Sequence, residues 1–132
     1  MGRRGILMVA ATAGVLLLGA AGGWAEAETL PAGDEEAGAE LYAAQCKGCH
    51  TVSIAPSLRG IADRPLASEP EFHGYSEALK SRAAETWTLA NLDAFLKSPP
   101  AFAPGTRMVM SVPDDKARAD IIAYIRSLPA KR

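Results

Sequence analysis

Cys46-Lys47-Gly48-Cys49-His50 is the stretch on which the reading of this chain turns, and it holds both cysteines of the sequence. A disulfide between them would close a loop of only a few residues. It would remove little entropy from the unfolded chain, so a structural cross-link is a weak reading. A thioredoxin-type redox pair needs a βαβ context, and no strand alternation surrounds the motif. A zinc site needs four ligands; Cys46, Cys49, His50 and His73 are all that is available, with no second cysteine pair. The adjacent His50 selects a third chemistry, covalent haem attachment. Each thiol adds across a vinyl group of the porphyrin, and the two intervening residues set the separation of the thioethers. The next residue then offers its imidazole to the iron from one face of the ring.

With His50 on one face, the occupant of the other axial position decides function. An open position favours gas binding or peroxide chemistry, and a filled one favours outer-sphere electron transfer. Of the four methionines, Met1 and Met8 lie in the apolar start of the chain, which leaves Met108 and Met110. Both stand in Pro104-Gly105-Thr106-Arg107-Met108-Val109-Met110, where Pro-Gly makes a tight turn that presents the next residues on a fixed loop. A thioether is soft and neutral, favours ferrous iron and raises the reduction potential. The rival role for a methionine is core filler. His73, in the polar turn Glu71-Phe72-His73-Gly74, is the rival ligand and reads as a surface histidine.

Further out, the chain begins like an export signal. Gly2-Arg3-Arg4 is basic, an apolar run extends from Ile6 to about Ala21, and Ala25-Glu26-Ala27 is a small-residue cleavage pattern. Residues 1–27 therefore read as a signal peptide, cleaved after Ala27 or Ala25. The bland rival is an uncleaved anchor, but a run of about 16 residues is short for a span. Residues 28–132 form one small domain, destined for the periplasm. The full chain is 48% hydrophobic, 22% charged and 6% aromatic, a globular composition. Without Arg3, Arg4 and Glu26 the domain keeps 12 basic and 14 acidic residues, a net charge near −2. A nucleic-acid binder would be strongly basic, so no nucleic acid is expected as a partner.

The local patterns predict an all-α domain with three main helices and long loops. Asp34-Glu35-Glu36 places acidic residues at a helix start, and the helix runs to about Ala44 and delivers Cys46. Thr88 caps a second helix with Leu89, Leu92, Phe95 and Leu96 on its apolar face, stopped by Ser98-Pro99-Pro100. Pro113-Asp114-Asp115 opens the last helix, where Ile121, Ile125 and Leu128 recur at helical spacing with Tyr124 alongside, and Pro129 ends it. Thr51 to Glu85 is rich in Pro, Gly and Ser, shows little periodicity and contains no convincing strand. Three short helices bury too little apolar surface alone, and a haem supplies a large apolar plate at the centre. Gly38 lets the first and last helices approach closely, with Tyr42 and Tyr124 packing across the crossing. Its rival reading is a tolerated helical glycine costing roughly 1 kcal/mol against Ala.

From about Glu36 to Leu128 the chain resembles the class I c-type cytochromes, of the mitochondrial cytochrome c and bacterial cytochrome c2 type. The resemblance is carried by Gly38-x-x-x-Tyr42, Cys46-x-x-Cys49-His50, Pro56-Ser57-Leu58-x-Gly60, Arg64, Tyr75-Ser76-x-Ala78, Trp87, Pro104-Gly105-Thr106-x-Met108 and Tyr124, in the family's order and spacing. It implies one haem c on Cys46 and Cys49 with His50 and Met108 as axial ligands. It implies that the Pro56 carbonyl accepts a hydrogen bond from His50, and that Thr106 belongs to the loop that seats the methionine. It places Arg64, Tyr75 and Trp87 at the haem propionates. Two carboxylates on a half-buried ring need partners, and Arg64, the Tyr75 hydroxyl and the Trp87 indole N–H are suitable donors. The rival readings are a solvated arginine and two core aromatics.

The resemblance implies a monomeric one-electron carrier, not an enzyme, which shuttles between membrane redox complexes. Expected partners are a cytochrome bc1 complex and a terminal oxidase, reaction centre or dehydrogenase, with the membrane met only at the surface of those complexes. The alternatives are a subunit or dedicated acceptor of a periplasmic dehydrogenase, a haem enzyme or gas sensor with an open sixth site, and a haem-free binding module. The chain also departs from the family. Phe95 replaces a tyrosine whose hydroxyl contacts the methionine sulfur, and Met110 stands near where an aromatic covers the haem edge. Gln45 and Pro100 occupy positions where many members have lysines, while Arg107 keeps a positive charge. The docking face is therefore less basic than in the mitochondrial type.

Overall fold

The computed structural model describes residues 30–132; the signal-peptide reading of residues 1–27 lies outside them. Helix α1 (Glu35–Gln45) begins where its cap dictates. The Asp34 carboxylate accepts from Ala37 N at 2.9 Å, and Glu35 and Glu36 face the positive end of the helix dipole. Helix α2 (Lys47–His50) is a single turn that follows directly. Helix α3 (Glu77–Lys80) is equally short and capped by Ser76. Helix α4 (Leu89–Lys97) is capped by the Thr88 hydroxyl and buries Leu92 and Leu96. Helix α5 (Pro99–Phe102) occupies one turn, and α6 (Asp115–Ser127), capped by Asp114, buries Ile121, Ile122 and Ile125.

Three main helices, α1, α4 and α6, thus stand where capping residues and apolar spacing predict them. The proline pair stops α4 as predicted and also does something more. Ser98 leaves helical geometry and ends α4, but Pro99 then opens α5. A proline at a first helical position loses no hydrogen bond and arrives with its φ preset, so the same residue is a stop and a start.

The crossing of α1 and α6 is close because Gly38 has no side chain. A Cβ there would lie 1.9 Å from the carbonyl oxygen of Asp120. The rings of Tyr42 and Tyr124 pack beside it, 5.1 Å between centroids. The Asp120 carboxylate, also buried, accepts from Asp34 N at 2.6 Å and ties the start of α1 to α6. α4 packs on the same helix, so α6 is the common support.

Apart from the single turn of α3, residues 51–85 take their shape from individual hydrogen bonds rather than from periodic structure. Leu66 N donates to Glu85 O at 2.9 Å and Trp87 N to Arg64 O at 2.8 Å, around an isolated bridge between Pro65 and Thr86. Among the described residues there is no strand beyond that bridge. The pairing seats Leu66, fully buried, and Trp87 in a single apolar cluster with Cys46, Ile61, Leu96 and Ile121. No helix among the described residues is long and apolar enough to cross a membrane.

Candidate functional site

Cys46 closes α1, its N–H donating to Tyr42 O, and opens α2. The amides of Cys49 and His50 both turn back to the Cys46 carbonyl, at 3.2 and 3.1 Å. One tight turn therefore carries both sulfurs and the imidazole. The thiols are free; Cys46 is buried in the apolar cluster and Cys49 is exposed. Burial, reinforced by the neighbouring Cys49, pushes the Cys46 thiol up. That is the opposite of the lowered value that makes a redox-active Cys-x-x-Cys nucleophilic. Among the described residues no three His, Cys, Asp or Glu side chains converge on a metal position, and His73 is exposed. The thioredoxin and zinc readings of the motif therefore have no support in the geometry.

His50 Nδ1 lies 2.7 Å from the carbonyl oxygen of Pro56. A carbonyl can only accept, so Nδ1 carries the proton and Nε2 keeps a free lone pair. Burial lowers the His50 pKa from its ordinary value, opposed in part by the Pro56 bond, and so favours the neutral ring. A neutral imidazole oriented through its other nitrogen is the form that binds iron.

Pro104-Gly105 makes the predicted turn, with Gly105 at φ +79°, a left-handed conformation that glycine adopts without strain. Thr106 N donates to Ala103 O at 3.1 Å, and the Thr106 hydroxyl accepts from Met108 N at 3.4 Å. Met108 is half-buried and packs against the apolar cluster, whereas Val109 is 87% exposed and Met110 40%. Of the two candidate methionines, the structure thus turns Met108 inward. Phe95 packs edge-on against Trp87 and Phe102.

Arg64, Tyr75 and Trp87 are brought together, but through partners that the sequence did not disclose. Trp87 N donates to Arg64 O, and the indole ring stacks 5.9 Å from Phe102. The Arg64 guanidinium donates to Glu69 at 3.4 Å and to Ser68 O at 3.1 Å. The Tyr75 hydroxyl accepts from Glu69 N at 3.2 Å, which leaves its own proton free to donate. Glu69 is buried, and Lys131 reaches it from the far end of the chain at 3.2 Å. Burial pushes the Glu69 carboxyl up, but Lys131 and Arg64 outweigh it and hold it below the usual range. A glutamate in a Pro- and Ser-rich loop gives no sign in sequence that it will be buried.

The donor set fits a covalent haem. Two free thiols and a neutral imidazole share one turn, a thioether faces the same apolar cluster, and cationic and phenolic donors adjoin it. A separate groove of about 480 Å³ flanks His50 and Pro56 on the side of Tyr42 and Tyr124; Cys46, Arg64, Trp87 and Met108 take no part in it.

Comparison with known proteins gives the family. A family model described as cytochrome c matches residues 35–129. Cytochrome c of Tetrahymena pyriformis is 38% identical over 105 residues, covering 76% of this chain and 94% of that protein. Cytochrome c2 of Rhodomicrobium vannielii is 35% identical over 118 residues, covering 84% and 91%. Among solved structures, cytochrome cH from Methylobacterium extorquens matches with a TM-score of 0.65 at 34% identity, over 72% of this chain and 99% of that one.

Proposed function

The chain belongs to the cytochrome c family, and from that premise we propose that it is a one-electron shuttle between membrane redox complexes whose haem iron would be held by His50 and Met108. It carries one haem c, bound covalently through Cys46 and Cys49, and it is an electron carrier rather than an enzyme. The haem supplies an iron that alternates between two oxidation states. The residues supply everything else.

His50 would hold the iron through Nε2, because Pro56 occupies Nδ1. Met108, on a loop held by Thr106, would supply the second protein ligand, its thioether. With both residues holding it, the haem would supply outer-sphere one-electron transfer rather than oxygen or peroxide chemistry. Arg64, Tyr75 and Trp87 serve the propionates, with Arg64 shared between them and Glu69. Residues 1–27 act as a signal peptide, and the mature domain works in the periplasm. There it exchanges electrons with a cytochrome bc1 complex and a terminal oxidase, reaction centre or dehydrogenase. Weak redox encounters of this kind need only a small interface. A dedicated role beside a periplasmic dehydrogenase is the second reading. It is favoured by the uncharged Gln45 and Pro100, which leave the docking face short of the positive charge that steers a general carrier.

The observation that carries the proposal is the His50–Pro56 hydrogen bond beside two free thiols. Its test is the optical spectrum of the mature protein in both oxidation states. Pigment that resists acidified organic solvent, with a reduced form that does not take up carbon monoxide, is expected. Extractable pigment or ready carbon monoxide binding would overturn it.

A further inference from the structure

Arg118 is the most deeply buried charge in the described protein, 2% exposed, in a domain where lysines and arginines otherwise reach water. A buried cation is costly unless its donors are met, and here four of the five N–H groups are met, from three directions. Nε donates to Asp93 of α4 at 2.7 Å. Nη1 donates to the carbonyls of Val112 at 2.9 Å and Pro113 at 2.8 Å, and Nη2 pairs with Asp115. Val112 is itself buried and its N–H donates to Leu96 O at 2.8 Å. One planar fork therefore joins α4 and α6 to the point where the segment carrying Met108 re-enters the fold. Lysine, a single point charge, has no geometry that spans two carbonyls and two carboxylates at once.

The segment is anchored at its start by Thr106 N on Ala103 O and at its exit by Val112 and Arg118. Between the anchors Val109, Met110 and Ser111 are exposed. A segment held at two ends opens at a lower free-energy cost when either hold is released.

We propose that Arg118 is a positioning residue for Met108: by pinning the Val112–Pro113 exit it holds the thioether on the iron and suppresses opening of the methionine segment. The inference rests on Met108 being the axial ligand. It predicts that weakening the clamp favours any external ligand that competes with sulfur, beyond what general destabilisation produces.

The test titrates the oxidised holoprotein with imidazole, followed by the shift of the main haem absorption band, alongside the sulfur-to-iron band and urea unfolding. Arg118→Lys keeps the charge and loses the fork; it should bind imidazole about ten-fold more tightly, the equivalent of roughly one hydrogen bond from a charged donor. Asp120→Asn loosens α6 from α1 but not from the methionine segment, and should leave imidazole affinity within two-fold even where urea stability falls. Arg118→Lys affinity within two-fold of the parent, or an equal gain in Asp120→Asn, would overturn the positioning role. A parent protein without the sulfur band would overturn the Met108 assignment and this inference together. The band present with Arg118→Lys unchanged would overturn this inference alone.

Discussion

The guanidinium of Arg64 lies 3.4 Å from the carboxylate of Glu69, a buried acid that also takes Lys131 from the end of the chain. Glu69 thereby closes the 64–75 loop onto the C-terminal residues and sets the direction of the very arginine assigned to the haem carboxylates.

The depressed Glu69 carboxyl, where Lys131 and Arg64 overcome the cost of burial, makes stability depend on pH. Because its folded value lies below the unfolded one of about 4.3, its contribution to stability is present above that pH. It disappears as pH falls through the folded value. Glu69→Gln should lower stability at pH 7 by about 1 kcal/mol, because both cations are partly solvated, and should flatten the acid limb of the stability curve. Urea unfolding between pH 7 and pH 2 checks this. An unchanged acid limb in Glu69→Gln would show that the ion pairs carry no linkage.

A second expectation concerns the helix crossing. A Cβ on Gly38 would sit 1.9 Å from Asp120 O, a backbone atom that cannot swing aside. Gly38→Ala should therefore cost about 3 kcal/mol or more despite alanine's better helix propensity. Chemical denaturation of the holoprotein measures it. A loss below 1 kcal/mol would mean that the crossing is slack and Gly38 merely tolerated.

Range decides which of these features are legible in the sequence. The caps Asp34, Thr88 and Asp114 act on amides three residues away, so their patterns declare three helices without tertiary information. Cys46, Cys49 and His50 share one turn, and their chemistry is equally local. The Pro104-Gly105 turn and the inward side of Met108 follow from the same kind of signal. Arg118 and Glu69 are different: their partners Asp93 and Lys131 lie 25 and 62 positions away, and nothing near either residue marks it for burial. Pro99 ends α4 as the local rule says, and the rule for first helical positions makes it also the start of α5.

The charge of the docking face yields a third expectation. Arg107 is exposed, but Gln45 and Pro100 bring no charge. Long-range steering should be weak, so electron transfer with a partner complex should fall only about two-fold as salt rises from 20 to 200 mM. Stopped-flow oxidation rates at several ionic strengths check it. A decline of ten-fold or more would assign the surface a strong steering field.

Ligation by Met108 is tested most directly by the weak sulfur-to-iron charge-transfer band in the far-red spectrum of the oxidised holoprotein. The band should be present in the parent, absent in Met108→Ala with a markedly lower reduction potential, and almost unchanged in Met110→Ala. A band that survives Met108→Ala, or one that only Met110→Ala removes, would contradict it.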